Sequence, residues 1–509
     1  MNTLVANVVS QPAEFLDRYP DYETTRGLDG LRAAEYGYLD ELDQVYLDYT
    51  GSGLAAVSQH QAHHARLATG CFGNPHSVNP TSRASTELVE RARRAILAYF
   101  NAPVDDYTVI FTPNASGACR LVGEAYPFDR RTRLVLTADN HNSVNGIREF
   151  ARARTATTTY VPSTAPDLRV CDAAVRAALG RHGIPSKRRG RRGLFAYPAQ
   201  SNFSGVQHPL DWVELAHRQG YDVLLDAAAY LPTNTLDLRV VTPEFVTVSW
   251  YKLFGYPTGV GALIARREAL ARLRRPWFSG GTIQTASVQG DWHSMTQDES
   301  AFEDGTLNFL AVPDVEVGLS WLSSIGVEVI QRRVRCLTGW LLDRLAGLTH
   351  DNGAPMARIY GPRDTVRRGA TVAFNLLDPT GAVVDERLVA TESAAAGFSL
   401  RTGCFCNPGA SEAALGITRA SLRGAHHKGA GTLEGYIALL GLPSGGAIRV
   451  SFGVASTIDD LQRLLSFVEH TYRNRPNTAT ALTGVGGRGG GSGRRGLGVG
   501  VVVASVTRS

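Results

Sequence analysis

Short apolar runs alternate with helical stretches through the middle of this chain, and this alternation constrains the fold more than any other feature. The apolar runs have the length of β-strands, and they are Thr108–Phe111, Leu134–Thr137, Leu194–Tyr197, Val223–Leu225, Phe245–Val248 and Val260–Ile264. A helical pattern from Thr86 to Phe100 precedes them. Such alternation predicts βα units around a mostly parallel sheet with helices on both faces. We therefore expect an α/β fold.

The chain after this region mixes predicted strands and helices. One long helix is predicted near residues 317–345, and it would lead out of the α/β domain. Beyond it, strands are predicted at 370–374 and 447–452, and helices at 384–396 and 458–472. This mixture is typical of a smaller α+β domain.

These patterns predict four parts in the chain. We expect an N-terminal segment at 1–45, a large domain at 46–345 and a small domain at 346–474. The rest, 475–509, is rich in Gly and Arg. It has no apolar periodicity to offset chain entropy, so we expect it to be disordered.

Composition excludes several classes of protein. The net charge is only +5 for 509 residues, and the basic residues are spread along the chain, which argues against a nucleic-acid partner. No apolar run approaches bilayer-spanning length and no signal peptide is recognisable, so a cytoplasmic protein without a membrane partner is expected. Six cysteines are few for this length, and free thiols are expected rather than disulfides.

Lysine is rare in this chain. Of 52 Lys and Arg residues, only Lys187, Lys252 and Lys428 are lysine. Lys187 lies in an Arg-rich run and Lys428 in a Gly- and His-rich one, whereas Lys252 follows Trp250 and Tyr251 in an apolar setting. A desolvated amine there can form an imine, which a guanidinium cannot do.

Asp226 is the natural companion of this lysine. It follows a predicted buried strand, and Lys252 follows the next strand, so both belong at the edge where α/β sheets bind ligands. Pyridoxal phosphate needs an amine for its aldehyde, an acid facing the pyridine nitrogen and donors around the phosphate. An Asp at a strand end is more often a helix cap or a metal ligand, but the pair together favours this cofactor.

A strand turns into a helix through small residues at Phe111–Val122. This turn would offer backbone N–H groups and the Ser116 hydroxyl to a phosphate, although an ordinary turn capped by Asn or Ser has the same pattern. Ser249 is a second candidate phosphate donor. His141 follows another predicted strand and could stack on a pyridine ring, or it could be a polar surface residue.

The loop from Leu400 to Ala410 holds Cys404 and Cys406. Two cysteines can bind a metal, but zinc sites usually need two further ligands, and only two adjacent histidines follow nearby, so no metal is expected. A loop that presents a thiolate beside Arg401 is the better hypothesis, because a cation lowers the pKa of a thiol. Arg449 lies among apolar neighbours and needs a carboxylate, either from the protein or from an amino-acid substrate.

Several further motifs resemble one family. In chain order they are Val45–Gly51, Gly73–Ser77, Phe195–Gly205, the Lys252 segment, Phe302–Phe309, the Cys404–Cys406 loop and Arg449–Gly453. Together they resemble the class V aminotransferase group of fold-type I pyridoxal-phosphate enzymes. Within that group they are most similar to the cysteine-desulfurase-like domain of molybdenum cofactor sulfurases.

The resemblance implies a role for each candidate cofactor residue. Lys252 would be the Schiff-base lysine, Asp226 the partner of the pyridine nitrogen and His141 the stacking imidazole. The residues at phosphate-contacting positions would be Ala115, Ser116, Ser249 and, toward the phosphate bound by the other subunit of a homodimer, Thr306.

The resemblance also implies the substrate site. Asn202 would lie near the cofactor's phenolic oxygen and the substrate carboxylate, which Arg449 would bind with Arg401 nearby. Cys406, rather than Cys404, matches the sulfur-accepting nucleophile. Two positions depart from the family, since Ala229 replaces a glutamine of many desulfurases and Ser411 replaces a cysteine of many sulfurases.

These observations predict a homodimeric, cytoplasmic enzyme that acts on L-cysteine. Cys406 would take the sulfur as a persulfide, alanine would be released, and an unidentified acceptor would receive the sulfur. One alternative is a pyridoxal-phosphate-dependent C–S lyase or class V aminotransferase of secondary metabolism. Another is an inactive scaffold that keeps the fold to bind a partner.

Overall fold

The computed structural model describes residues 13–75, 77–180, 192–428, 437, 439–442 and 444–476, with the side chains of 424–428 left aside. Lys187 and the predicted disordered tail after Pro476 lie outside the described residues.

A central sheet of seven strands dominates the fold. Its spatial order is Tyr107–Thr112, Gly261–Arg266, Phe245–Ser249, Tyr221–Asp226, Gly193–Pro198, Arg133–Thr137 and Thr157–Val161. Gly261–Arg266 is antiparallel to both of its neighbours, and all other adjacent strands are parallel. The predicted mostly parallel α/β fold is therefore confirmed.

Each of the six predicted apolar runs lies within or largely within one of these strands. The seventh strand, Thr157–Val161, was not predicted. It is Thr-rich and mostly half-buried or exposed at the edge of the sheet, so it has no continuous apolar run. A prediction based on continuous apolar runs does not identify an edge strand of this kind.

Both faces of the central sheet are covered. Leu134 and Leu136 pack into one apolar cluster and Val135 into the other, because successive side chains of a strand point to opposite faces. The helices of this region are Val57–Thr69, Pro80–Tyr99, Ala115–Ala125, Asn142–Asn145, Ile147–Ala153, Asp172–Gly180, Trp212–Arg218, Trp250–Phe254 and Arg267–Leu270.

The prediction of a single long helix near 317–345 is wrong about its continuity. The structure has two helices, Pro313–Ile325 and Val327–Gly347. Between them Gly326 has φ +87°, a conformation that a continuous helix cannot contain. The apolar periodicity runs on through this break, so the pattern alone did not reveal it.

A second, antiparallel sheet has four strands in the order Ala357–Tyr360, Thr371–Leu376, Ala447–Ser451 and Arg401–Gly403. Its accompanying helices are Glu386–Ala395, Pro408–Ala414, Arg419–Lys428 and Ile458–Tyr472. This mixture matches the predicted α+β character, while the predicted domain boundaries stay a prediction.

The remaining elements are short. The N-terminal helical turns are Ala13–Arg18, Pro20–Thr25, Gly27–Glu35 and Tyr38–Glu41, and a further turn lies at Glu299–Phe302. The short strand pairs are Val45–Tyr46 with Phe398–Ser399, Ser163–Thr164 with Arg169–Val170, and Ile283–Ser287 with Trp292–Met295. Over the described part of the chain, none of the helices combines the length and the apolarity that a bilayer crossing requires.

Candidate active site

A cavity of about 440 Å³ opens at the ends of the central strands. Among its lining residues are seven of the predicted site residues, namely Lys252, Asp226, His141, Ala115, Ser116, Asn202 and Ser249. They come from strand ends and from the loops and helix starts that follow them, which the parallel strands bring to one edge of the sheet. The remaining candidates, Arg449, Arg401, Cys406 and Thr306, do not line this cavity.

Lys252 and Asp226 follow two adjacent parallel strands. Asp226 is the last residue of Tyr221–Asp226, and Lys252 lies in the short helix that continues directly from Phe245–Ser249. The Asp226 Oδ1 atom accepts hydrogen bonds from the Ala228 N–H and the Thr247 hydroxyl, each at 3.1 Å. Burial lowers the pKa of Lys252, and the nearby Asp226 charge opposes this shift. The cavity therefore favours an amine that gives up its proton readily.

His141 begins the helix Asn142–Asn145 and is fixed by its neighbour Ser143. Its Nδ1 atom accepts a hydrogen bond from the Ser143 N–H at 3.1 Å and lies 3.0 Å from the Ser143 hydroxyl. Burial lowers the pKa of His141 to about 4, and the charge of Lys252 adds to the effect. At neutral pH the ring is an uncharged imidazole, which suits stacking on an aromatic ring.

The predicted phosphate end lies at the start of the helix Ala115–Ala125. The Asn114 side chain caps this helix by accepting from the Gly117 N–H at 2.9 Å. The capping interpretation of this turn is thus correct, but it does not compete with an anion role, because Ala115 and Ser116 still line the cavity. The Ser116 hydroxyl lies 2.5 Å from the Ser143 hydroxyl, which links the helix start to His141.

Two arginines share one carboxylate beside the cavity. Asp48 binds Arg449 Nη2 through Oδ1 at 2.6 Å, and it binds Arg401 Nε and Nη2 through Oδ2 at 2.9 and 2.6 Å. The protein itself therefore supplies the carboxylate that Arg449 was predicted to need. The negative charge of Asp48 neutralises one of the two guanidinium charges, so one net positive charge remains. Arg449 also donates to the Asn202 carbonyl at 3.0 Å, and its buried Nε atom has no hydrogen-bond partner among the described residues.

Cys404 and Cys406 are both exposed and free. Their turn contacts the cavity wall through its backbone, because the Asn202 side-chain Nδ2 donates to the Phe405 carbonyl at 2.7 Å. The N–H of Asn142, the residue after His141, donates to the Cys406 carbonyl at 2.8 Å. Within the described residues, no group of three or more His, Cys, Asp and Glu side chains is arranged to hold a metal ion.

Thr306 lies in a neighbouring cavity of about 320 Å³. This second cavity shares Pro113 and Gly259 with the first, and the Thr306 hydroxyl accepts a hydrogen bond from Asn74 at 3.3 Å. In one chain, therefore, Thr306 is near the predicted phosphate end but outside the cavity that holds Lys252.

Sequence reasoning missed several contributors to this region. Asp48 was visible as a lone carboxylate in the motif Val45–Gly51, and Gln200 stood two residues before Asn202. Gln200 lines the cavity and donates to the Ala229 carbonyl at 2.9 Å. No sequence pattern pointed to Ser143, because its role depends on how the starts of two helices pack against each other.

The donor set fits pyridoxal phosphate. The cavity lining offers a helix start and hydroxyl groups for a phosphate, together with an amine whose charged form burial disfavours. The acid Asp226 and the uncharged His141 complete the surroundings that a pyridine ring needs. The cavity volume is within the usual range for a small-molecule site.

Comparison with known proteins gives a consistent answer. The family model described as aminotransferase class-V matches residues 45–464. Molybdenum cofactor sulfurase of Solanum lycopersicum is 34% identical over an alignment 498 positions long, which covers 92% of this chain and 60% of that protein. The Homo sapiens molybdenum cofactor sulfurase is 36% identical over an alignment 465 positions long, which covers 87% of this chain and 51% of the relative. The chain thus spans between half and two thirds of the length of these relatives.

Solved structures share the fold at lower identity. A cysteine desulfurase from Thermococcus onnurineus NA1 has a TM-score of 0.69 at 21% identity and covers 88% of this chain and 98% of its own. The cysteine desulfurase CsdA from Escherichia coli has a TM-score of 0.65 at 22% identity, covering 91% and 98%. A C-DES mutant with glycine covalently linked to its pyridoxal phosphate cofactor has a TM-score of 0.64 at 18% identity, covering 86% and 98%.

Proposed function

The chain belongs to the aminotransferase class-V family, and from that premise we propose that it is a cysteine desulfurase-like enzyme dependent on pyridoxal phosphate. It takes sulfur from L-cysteine onto Cys406 and releases alanine. One observation carries this proposal: a single cavity is lined by Lys252, Asp226 and His141, and the Cys406 turn is bonded to its wall. Similarity to molybdenum cofactor sulfurases and to cysteine desulfurase structures supports it.

The cofactor, when bound, supplies an electron sink for the carbon atoms of an amino-acid substrate. In this chain Lys252 would hold its aldehyde, Asp226 would face its pyridine nitrogen and His141 would stack on its ring. The phosphate would be held by Ala115, Ser116 and Ser249, and by Thr306 of a second copy in a homodimer.

Lys252 and the two arginines would divide the work of substrate activation. The lowered pKa of Lys252 increases the share of its neutral amine, which is the form that can remove the substrate Cα proton. Arg449 and Asn202 would bind the substrate carboxylate, helped by the positive charge that Arg401 adds. Asp48 would keep the two guanidinium groups in place.

Sulfur transfer would then fall to Cys406. Its thiolate attacks the substrate sulfur, so that a sulfur–sulfur bond forms and the substrate carbon–sulfur bond breaks. The electron pair of that bond stays with carbon, which takes up a proton and becomes the methyl group of alanine. The persulfide left on Cys406 passes its outer sulfur to an acceptor. We propose that the protein does this in the cytoplasm.

The product balance tests this function. Purified protein loaded with pyridoxal phosphate and supplied with L-cysteine should form alanine and a protein-bound persulfide in equal amounts on the first turnover. Cys406→Ser should still bind the cofactor but form little alanine, while Cys404→Ser should be the milder change. Alanine, pyruvate and sulfide are measured together, and the persulfide is mapped by labelling.

The rival functions predict other products. A C–S lyase would release pyruvate, ammonia and sulfide and would be insensitive to both cysteine substitutions. An aminotransferase would need a keto-acid partner, and an inactive scaffold would form no product. Full alanine formation by Cys406→Ser would contradict the desulfurase proposal, and a reversed order of the two variants would move the nucleophile to Cys404.

A further inference from the structure

The turn that carries Cys406 has a strained backbone. The Asn407 N–H donates to the Cys404 carbonyl at 2.9 Å, which closes a four-residue turn. Both central residues of this turn, Phe405 and Cys406, have left-handed φ angles of +56° and +54°. Neither residue is Gly or Asn, the types that adopt this conformation easily. Such a turn persists only where its surroundings hold it.

Part of that hold comes from the Phe405 ring. It is buried in a small apolar cluster, with its centroid 5.2 Å from that of the Phe203 ring, and the Arg449 guanidinium lies over it, 4.7 Å from the ring centroid. The ring therefore attaches the turn to the arginine proposed to bind the substrate carboxylate. The ring alone does not orient the backbone, which needs directional hydrogen bonds.

Asn407 supplies those directional bonds. It is fully buried, and its Nδ2 group donates to the Asp139 carbonyl at 2.7 Å and to the Asn202 Oδ1 atom at 2.9 Å. Because Asn202 Oδ1 accepts this bond, the Asn202 Nδ2 group faces the Phe405 carbonyl, to which it donates at 2.7 Å. One side-chain amide thus joins the cysteine turn, the cavity wall and the segment before His141.

A second role of Asn407 can be separated from the first. Its Oδ1 atom accepts from the Ala410 N–H at 3.2 Å and so caps the helix Pro408–Ala414. Capping uses only the oxygen, whereas the contacts to Asp139 and Asn202 use only the nitrogen. Serine also caps helices well, but it has no amide to reach both partners.

We propose that Asn407 is a positioning residue for sulfur transfer: its side-chain nitrogen orients Asn202 and holds the strained Cys406 turn against the substrate site. This proposal rests on the desulfurase function proposed above and adds to it a residue that acts through others. Cys406 reaches the substrate sulfur in the required geometry only while this hold is intact, and small displacements of a reacting group cost large factors in rate.

The decisive variant is Asn407→Ser, because it keeps the cap and loses the amide. Alanine formation from L-cysteine should fall at least tenfold. Exchange of the Cα proton of L-alanine with solvent deuterium uses Lys252 but not Cys406. Measured at saturating L-alanine, where weaker carboxylate binding by a displaced Asn202 does not limit the rate, this exchange should stay within about twofold of the parent. A merely structural role would reduce both rates together.

The matched control is Asn79→Ser. Asn79 also precedes a proline and also caps its helix, by accepting from the Ser82 N–H at 2.9 Å, but it is exposed and far from this turn in sequence. This variant should keep both rates. If it slows alanine formation as much as Asn407→Ser, or if Asn407→Ser keeps the parent rate, the proposal is wrong.

Hydrogen exchange of the cofactor-free protein gives a readout independent of activity. The backbone N–H groups of residues 142 and 407, which donate to carbonyls of the turn, should exchange at least tenfold faster in Asn407→Ser than in the parent or in Asn79→Ser. Unchanged exchange would overturn the proposal even if alanine formation fell. If Asn407→Ser does not fold, Asn407→Thr provides the same comparison, since its hydroxyl also caps a helix and it too lacks the amide.

The two proposals fail in different ways. If the parent protein forms no alanine or persulfide, the desulfurase function is wrong, and the exchange rates alone then decide whether Asn407 holds the turn. If the parent forms both products while Asn407→Ser behaves like the parent, only the positioning role is wrong.

Discussion

Asp48 shows how a single buried carboxylate organises the region around the cavity. A buried guanidinium without a partner is costly, so Asp48 stabilises the buried Arg449, and it also binds the more exposed Arg401. It neutralises only one of their two charges, and the remainder is available to an incoming substrate carboxylate. The sequence predicted that Arg449 needed a carboxylate but left open which one, because only the fold brings residues 48, 401 and 449 together.

Lys252 is predicted to be the residue that binds the cofactor covalently. Lys252→Ala should lose the yellow colour of the loaded protein, while Lys187→Ala and Lys428→Ala should keep it. The reason is that Lys252 faces Asp226 in the cavity with a lowered pKa, which favours imine formation. Borohydride reduction followed by peptide mapping checks the assignment, and an adduct on another lysine would contradict it.

His141 should make stability depend on pH. Its pKa in the folded protein is about 4, below the ordinary value of 6.5, so between these values the unfolded chain binds more protons. Stability due to the neutral ring is therefore fully present above about pH 6.5 and decreases as the pH falls toward 4. The loss is up to about 3 kcal/mol, at about 1.4 kcal/mol per pKa unit.

The measurement is urea unfolding of the cofactor-free parent and His141→Gln between pH 4 and 7. Glutamine is polar but does not titrate, so the difference in unfolding free energy between the two proteins should shift in favour of the variant as the pH falls. A difference that stays constant across this range would show that the buried imidazole is not responsible.

At the scale of elements, the Lys252 helix depends on close contact with the chain near residue 55. Gly255 ends that helix with φ +78°, and a Cβ there would overlap the backbone of Leu54 and Ala55. Gly255→Ala should therefore cost more than the conformational strain of about 1–2 kcal/mol and should also lower cofactor occupancy. Occupancy is measured by absorbance, and stability by denaturant unfolding.

Gly220 provides the matched comparison, because its φ of +81° is nearly the same but no atom lies within 4 Å of a Cβ built there. Gly220→Ala should cost about 1–2 kcal/mol and leave cofactor occupancy unchanged. Equal effects of the two substitutions would show that backbone strain, rather than the contact with residues 54 and 55, determines both.

Elements were predictable from the sequence where burial is continuous. The central strands are buried on both faces, so their apolar runs were visible, and the helix Ile458–Tyr472 was predicted with the observed bounds. The edge strand Thr157–Val161 and the break at Gly326 were not predicted. The first has no apolar run, and the second interrupts the backbone without interrupting the apolar pattern.

The site residues, like the elements, were predictable only where a local sequence pattern marks them. Five of the seven predicted cavity residues follow from their places at strand ends and helix starts, whereas Ala115 and Asn202 came from the family resemblance. The Cys406 turn, by contrast, is held by Asn407 and Asn202, which are 205 positions apart along the chain. Such contacts depend on how the two sheets meet, and no local pattern encodes them.

At the scale of the whole molecule, the position of Thr306 bears on assembly. In one chain this residue lies in the cavity next to the one that holds Lys252, although the two cavities share Pro113 and Gly259. A homodimer in which Thr306 serves the phosphate of the other copy would explain why the family motif is retained at a place that does not reach the cavity within one chain. Each active site would then need residues from both copies.

Complementation between inactive variants tests this arrangement. In a mixed dimer of Lys252→Ala and Thr306→Ala chains, one site carries both substitutions and the other carries neither, so that the second site is intact. Mixing the two proteins under conditions of subunit exchange should restore alanine formation to about one quarter of the parent rate, because random pairing makes half of the dimers mixed and each mixed dimer has one intact site of two. Light scattering should report twice the chain mass of 54.8 kDa. If Thr306 acted within its own chain, every site in the mixture would retain one substitution and no activity would return. A dimer by light scattering without complementation would therefore support the assembly but contradict the shared phosphate site.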